Sequence, residues 1–180
     1  NIHPETVAVD QAIEQSARLI RRLIGDDIEF ELDLCAEDEH IRVDPGQLEQ
    51  ALVNLAVNDG EAMPDGGTLK VEKKVVYIEE DTQKTEAVVS ARGRHVAITV
   101  RDTGVGIEND EVGRIFEPFY TTKGPGHGTG LGLAMVYGMV HQHDGAVTVY
   151  SEVGLGTVFR LYFPAKGGAS SPGAEEEQPA

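Results

Sequence analysis

Lys123-Gly124-Pro125-Gly126-His127-Gly128-Thr129-Gly130-Leu131-Gly132-Leu133 is the stretch on which the fold of this chain turns. Each glycine costs about 1 kcal/mol in a helix interior relative to alanine, so five of them at alternate positions spell a loop. After Leu131 the pattern changes. Leu133, Val136, Tyr137 and Val140 recur at helical spacing, and Asp144-Gly145 supplies a stop. A glycine loop therefore runs into a helix N-terminus, whose unpaired N–H groups and positive dipole end favour an anion, phosphate above all. A surface loop without a ligand would share this composition. The stretch is not a P-loop, since no Gly-Lys-Ser/Thr follows the glycines. It is not a dinucleotide fingerprint either, because no glycine stands three after a Gly-x-Gly pair.

The rest of the chain narrows the choice. With 180 residues and 40% hydrophobic content, it can bury one sizeable core. Lys and Arg number 15 against 31 Asp and Glu, a net charge of −16. That charge argues against nucleic acid as a partner, whose affinity rests on neutralising phosphates. An acidic chain that binds a polyphosphate must use N–H groups, amides and a metal. No apolar run reaches the ~20 residues of a membrane span, so no direct membrane contact is expected. One cysteine, Cys35, permits no internal disulfide and fits a reducing, cytoplasmic setting, as a small half-buried hydrophobe.

In chain order, residues 1–8 read as an extended lead-in. Asp10 to Ile24 reads as an amphipathic helix through Ile13, Ala17 and Ile20, closed by Gly25. Ile28 to Leu34 alternates apolar and acidic residues, a strand with one wet face. His40 to Val43 is a second strand. Asp44-Pro45-Gly46-Gln47 has the signature of a helix start: Asp at the N-cap, Pro at N1, Gln at N3. The helix that follows, to about Met63, carries Leu48, Leu52 and Leu55 on one side. On another side Gln47, Gln50, Asn54, Asn58 and Glu61 follow steps of three and four. Amide oxygens can ligate Mg²⁺ and amide N–H₂ groups can meet phosphate without adding negative charge. Alone, the stripe reads equally well as an ordinary exposed face.

Leu69 to Ile78 and Val96 to Val100 read as antiparallel strands joined by a long polar excursion, Glu79 to Arg94. Ala146 to Ser151 and Thr157 to Phe163 form a last hairpin. From Ala165 the composition collapses to Gly, Ala, Ser, Pro and Glu, so 165–180 is expected to be a flexible acidic linker or tail. Arg101-Asp102-Thr103-Gly104-Val105-Gly106 follows a strand directly. A strand-end carboxylate accepts from the exocyclic amine of a purine, and glycines let a flat ring lie against backbone. A glycine-rich turn after a strand is common, so this motif alone decides little.

Taken together, the motifs resemble the ATP-binding catalytic domain of sensor histidine kinases, in the superfamily shared with DNA gyrase, Hsp90 and MutL. Asn54-Leu-Ala-Val-Asn58 is similar to that family's N box, and Asp102-Thr-Gly-Val-Gly106 to its first glycine box. Phe116-Glu-Pro-Phe119-Tyr-Thr-Thr122-Lys123 resembles the F box, and Gly126-His-Gly-Thr-Gly-Leu-Gly132 the second glycine box. The resemblance covers roughly residues 9–164. It implies an α+β fold: a two-layer sandwich with a mixed, mostly antiparallel sheet and about three helices on one face.

By the resemblance, ATP and Mg²⁺ are the expected cofactors. Asn58 would ligate Mg²⁺ bridging the triphosphate, with Asn54 one turn earlier near the γ-phosphate. Asp102 would bind the adenine amine, assisted through water by Thr157, in a pocket shaped by Gly104 and Gly106. Residues 116–132 would be a lid: Phe116 and Phe119 anchor it, Thr122 and Lys123 approach the nucleotide, and Gly126, Gly128, Thr129, Gly130, Leu131 and Gly132 cradle phosphate oxygens. Hydrolysing relatives carry a Glu at the position of Asn54. A neutral amide is a poor general base, which favours phosphoryl transfer to a protein side chain over hydrolysis.

The implied partners are a dimerisation domain bearing the phosphoacceptor histidine, expected upstream, and a response regulator or receiver domain. None of His3, His40, His95, His127, His141 and His143 has an acceptor box around it; His141 and His143 are expected to serve a helix C-terminus at the surface. Two other classes share the boxes: a non-catalytic ATP-binding regulatory module, and a gyrase- or Hsp90-like ATPase. An anti-sigma-type serine kinase is a further relative. The chain departs from the family at Asp59-Gly60, where a small residue usually follows the metal Asn. A carboxylate beside a triphosphate repels it, so Asp59→Ala is expected to tighten ATP–Mg binding.

Overall fold

The computed structural model describes residues 1–79, 93–118, 120 and 132–166. A 15-residue helix, α1 (Val9–Leu23), buries Val9, Ile13, Ala17 and Ile20, the stripe its periodicity marks. The helix α2 (Pro45–Glu61) starts as the sequence dictates: the Asp44 carboxylate accepts from the N–H groups of Gly46 and Gln47 at 3.0 and 3.3 Å. A third long helix, α4 (Gly132–Gln142), follows a single turn, α3 (Asn109–Val112). α2 lies between α1 and α4.

Five strands make the main sheet: β2 (Ile28–Leu34), β4 (Gly67–Ile78), β5 (Gly93–Asp102), β6 (Ala146–Glu152) and β7 (Gly156–Pro164). Their order is β2-β4-β5-β7-β6, with β2 parallel to β4 and every other pair antiparallel. This is the mixed, mostly antiparallel sheet of an α+β sandwich. The expected lead-in is extended: β1 (Glu5–Ala8) pairs antiparallel with β3 (His40–Val43).

Register explains both the core and the site. Val100 on β5 faces Val71 on β4 and Phe159 on β7, and Ile98 faces Lys73 and Leu161. Val71, Ile98, Val100, Phe159 and Leu161 are all buried in one apolar cluster with Leu48, Leu52 and Leu55 of α2. Side chains alternate along a strand, so the residue two beyond Val100 shares its face. Asp102 thus ends β5 on the helix-covered side, opposite Leu69.

Two buried polar groups tie the helices to this frame. Lys73 interrupts the apolar face of β4 fully buried, with Nζ 2.5 Å from Asp10 on α1 and 2.7 Å from the carbonyl oxygen of Glu37. His143, just past α4, is also buried, which corrects the expected surface role. Its Nδ1–H donates to the Met139 carbonyl at 2.8 Å, and its Nε2 accepts from the Asp44 N–H at 3.1 Å. His143 therefore joins the end of α4 to the start of α2. His141 is exposed and lies against the Tyr137 ring.

Candidate nucleotide site

The loop after β5 is clamped from two sides. The Val105 N–H donates to the carbonyl of Ala62, just past α2, at 2.9 Å, and the Gly154 N–H in the β6–β7 turn donates to the Val105 carbonyl at 2.8 Å. The glycines follow from this squeeze. A Cβ on Gly104 would lie 2.4 Å from the Ala62 oxygen, and one on Gly106 2.3 Å from the Glu152 oxygen. Gly106 also has φ +79°, which L-residues rarely adopt. The sequence Asp-Thr-Gly-Val-Gly is what a strand end needs to pass between a helix terminus and a hairpin.

Within that clamp the polar groups are buried and ordered. Oδ1 of Asp102 accepts from the Gly104 N–H at 2.7 Å, closing a tight local turn. The hydroxyls of Thr157 and Ser151 lie 2.8 Å apart; Ser151 also accepts from the Ile107 N–H at 2.7 Å and donates to the Gly156 carbonyl at 3.1 Å. Oδ2 of Asp102 is buried with no N–H or O–H donor among the described residues. A carboxylate oxygen in that state has acceptor capacity left for an amine.

α2 brings Asn54 and Asn58, both half-buried, one turn apart towards its C-terminal end. Beyond them, the chain at Ala62 meets the 102–106 loop, so amide stripe and strand-end aspartate lie at neighbouring ends of one packed unit. Gln47, Gln50 and Asn54 line a cleft of about 270 Å³ against Met135, Gly138 and Gln142 of α4. Asn58 and Asp102 do not line that cleft. Phe116 packs edge-on to Phe159 of β7, with ring centroids 6.2 Å apart, and against Tyr137 of α4 at 5.5 Å. Gly132 opens α4. Phe119, Thr122, Lys123, Gly126, Gly128, Thr129, Gly130 and Leu131 lie outside the described residues.

Asp59 overturns one expectation. It faces away from the amide stripe and is fully buried, its carboxyl within hydrogen-bonding reach of Asp102. Burial first, and the neighbouring Asp102 charge second, hold its carboxyl well above the usual carboxylate range. Buried in the base of the loop and turned away from the amide stripe, its carboxyl does not face a triphosphate bound along that stripe, so the argument for tighter binding in Asp59→Ala fails. The signal for its burial is in the sequence: Leu48, Leu52, Leu55 and Asp59 follow steps of four, three and four along the apolar face. Ser151 was not foreseen either; a serine next to a hairpin turn carries no pattern that marks it.

Comparisons with known proteins now bear on this geometry. A family model described as "Histidine kinase-, DNA gyrase B-, and HSP90-like ATPase" matches residues 43–167. The chain belongs to this ATPase family. Sensor kinase CckA of Brucella abortus (strain 2308) is 40% identical over 163 residues, which are 91% of this chain and 17% of that protein. The mycobacterial sensor histidine kinase MprB superposes with a TM-score of 0.71 at 26% identity, covering 92% of this chain and 100% of the solved one. Full-length ShkA, solved in complex with AMPPNP, gives a TM-score of 0.73 at 27% identity, over 94% of this chain and 33% of that one. The chain thus spans about one-sixth of the curated relative's length and one-third of ShkA's. It carries the ATP-binding domain of the sensor histidine kinase type. Among the described residues no helix is long and apolar enough to cross a membrane.

Proposed function

We propose that this chain binds ATP with Mg²⁺ and, within its whole protein, transfers the γ-phosphate to a histidine on a separate dimerisation domain. That domain, and a response regulator or receiver domain taking the phosphate onward, are the partners this reading requires. Residues 9–164 then act as the catalytic unit in the cytoplasm, with 1–8 leading from the acceptor domain and 165–180 as a linker.

The observation that carries the reading is the packing of the α2 terminus on the 102–106 loop. It sets a carboxylate with spare acceptor capacity beside a helix face of amides. Asp102 accepts from the adenine amine, Thr157 supports it through its hydroxyl network, and Gly104 and Gly106 leave the base room against backbone. An amide donor set without added charge fits a metal already carried by phosphates, and Asn58 would hold Mg²⁺ through its Oδ1. Bound there, the ion supplies the charge neutralisation that phosphoryl transfer needs. Asn54, a neutral amide, positions the terminal phosphate and abstracts no proton. Lys123 and the glycine-rich 126–132 segment would complete the phosphate contacts.

Mixing the chain with its matching dimerisation domain and ATP labelled at the γ-phosphate tests this. Acid-labile label on the dimerisation domain, with little on the chain alone, is the expected result. Free phosphate released by the chain alone at a comparable rate would move the assignment to a gyrase- or Hsp90-like ATPase. Tight ATP binding with neither product would move it to a regulatory nucleotide-binding module.

A further inference from the structure

The cleft between α2 and α4 meets the phosphate end at Asn54 and then runs away from the base end. Gln50 and Gln47 follow it towards the start of α2, and Met135, Gly138 and Gln142 face them from α4. Ala51 and Met139, both buried, close its floor. None of these side chains ionises, although the chain carries a net charge of −16. A partner approaching the phosphate end along this route meets amides and adaptable thioethers in place of an acidic surface. Gly138 stands in the interior of α4 and lines the cleft. Glycine weakens a helix interior relative to alanine, yet a Cβ added here meets nothing within 4 Å among the described residues. No packing among those residues calls for it, whereas a bare backbone beside a groove suits the close approach of another molecule. The lead-in arrives at the same groove. The His3 N–H donates to the Asp44 carboxylate at 2.9 Å, so the chain comes in beside the first turn of α2, where Gln47 closes the far end of the cleft.

We infer that this cleft is the docking groove for the helix that bears the acceptor histidine, with the ring entering at the Asn54 end and the helix lying close over Gly138. This rests on the proposal that the γ-phosphate goes to such a histidine. Phosphoryl transfer sets the attacking and leaving atoms roughly in line through the phosphorus. With the base at Asp102 and the metal at Asn58, ADP departs towards the C-terminal end of α2. The acceptor then comes from the opposite side of Asn54, itself about 6 Å from Asn58 along the helix axis. That is the side on which the cleft opens. A helix presents residues three and four apart on one face, so an imidazole and a small apolar side chain can enter together. Gln50 and Gln142, both exposed, offer hydrogen bonds at the rim, and the exposed Met135 offers a flexible apolar contact.

The test adds the matching dimerisation domain to isotope-labelled chain holding Mg²⁺ and an ATP analogue that cannot give up its γ-phosphate. Backbone NMR shifts are expected at Gln50, Ala51, Gly138 and Gln142. Shifts that spare α2 and α4 would overturn the inference. So would the same shifts on concentrating the chain alone, since the groove would then be a contact between copies. Transfer kinetics with ATP give a second arm. Gly138→Leu fills the groove at a position where the helix has room, and Gly138→Ala adds a single methyl group. Leu should raise the KM for the dimerisation domain at least about 10-fold and Ala about 3-fold, with ATP–Mg affinity within about 2-fold of wild type and no loss of folding stability. A wild-type KM in Gly138→Leu, or an equal loss of ATP affinity, would overturn the inference. If the wild type gives no label while the shifts fall in the groove, the transfer reading falls and the docking groove is supported. If label forms and the shifts lie elsewhere, the transfer reading stands and only this inference falls.

Discussion

The two ends of the candidate site are built on opposite principles. At the base end, a strand terminus is threaded between the Ala62 carbonyl and the β6–β7 turn, and its shape is set by backbone contacts and buried polar groups. At the phosphate end, the described groups are side chains on the half-exposed face of a helix whose opposite face does the packing. On the proposed reading, one nucleotide would meet a rigid mould at one end and replaceable side chains at the other. Substitutions that add bulk at the base end should therefore cost folding, whereas those at the phosphate end should cost binding alone.

The largest expected effect lies where the mould is tightest. Gly104→Val puts a branched side chain where even a Cβ sits 2.4 Å from the Ala62 oxygen. It should destabilise the domain by about 3 kcal/mol in guanidinium unfolding. A loss under about 1 kcal/mol would mean that the loop gives way easily and the contrast is false.

Next comes the buried acid beneath the mould. The carboxyl of Asp59 is raised in the folded state, so the native protein keeps a proton that the unfolded chain releases above about pH 4. Wild-type stability should fall as pH rises from there towards the folded value, and Asp59→Asn, which does not titrate, should escape that loss. By neutral pH the variant should be the more stable, with the difference closing towards pH 4. Parallel stability curves for the two proteins would show that Asp59 is not held protonated.

Gly60→Ala is the smallest. A Cβ there meets only the Ile28 Cδ1 at 3.6 Å, an ordinary contact, and the position is helical. The domain should gain about 0.5–1 kcal/mol, with ATP affinity unchanged. A loss of affinity would mean that flexibility in the last turn of α2 serves the phosphate end.

The same contrast marks what the sequence could reveal. Strand phase fixes Asp102 on the covered face because Val96, Ile98 and Val100 precede it, and Asp44-Pro45 fixes the phase of α2. Both are local rules. Asp59, Lys73 and His143 break the equation of polar with exposed, and their partners come from distant elements: β5 for the first, α1 for the second, the start of α2 for the third. Periodicity puts Asp59 and Lys73 on buried faces, yet the groups that make burial tolerable are set by packing between elements, which no short window of sequence contains. Motif order, by contrast, is sufficient to reach the family, and the two fully described boxes lie where it puts them: Asn54–Asn58 on α2 and Asp102–Gly106 at the end of β5.

The most direct test of the whole account is a calorimetric titration of ATP–Mg into wild type, Asn58→Ala and Asp102→Asn. The account predicts one site in the wild type and a loss of at least about 10-fold in each variant, with both folded as the parent. Wild-type affinity in either variant would contradict the claim that one nucleotide spans the two ends.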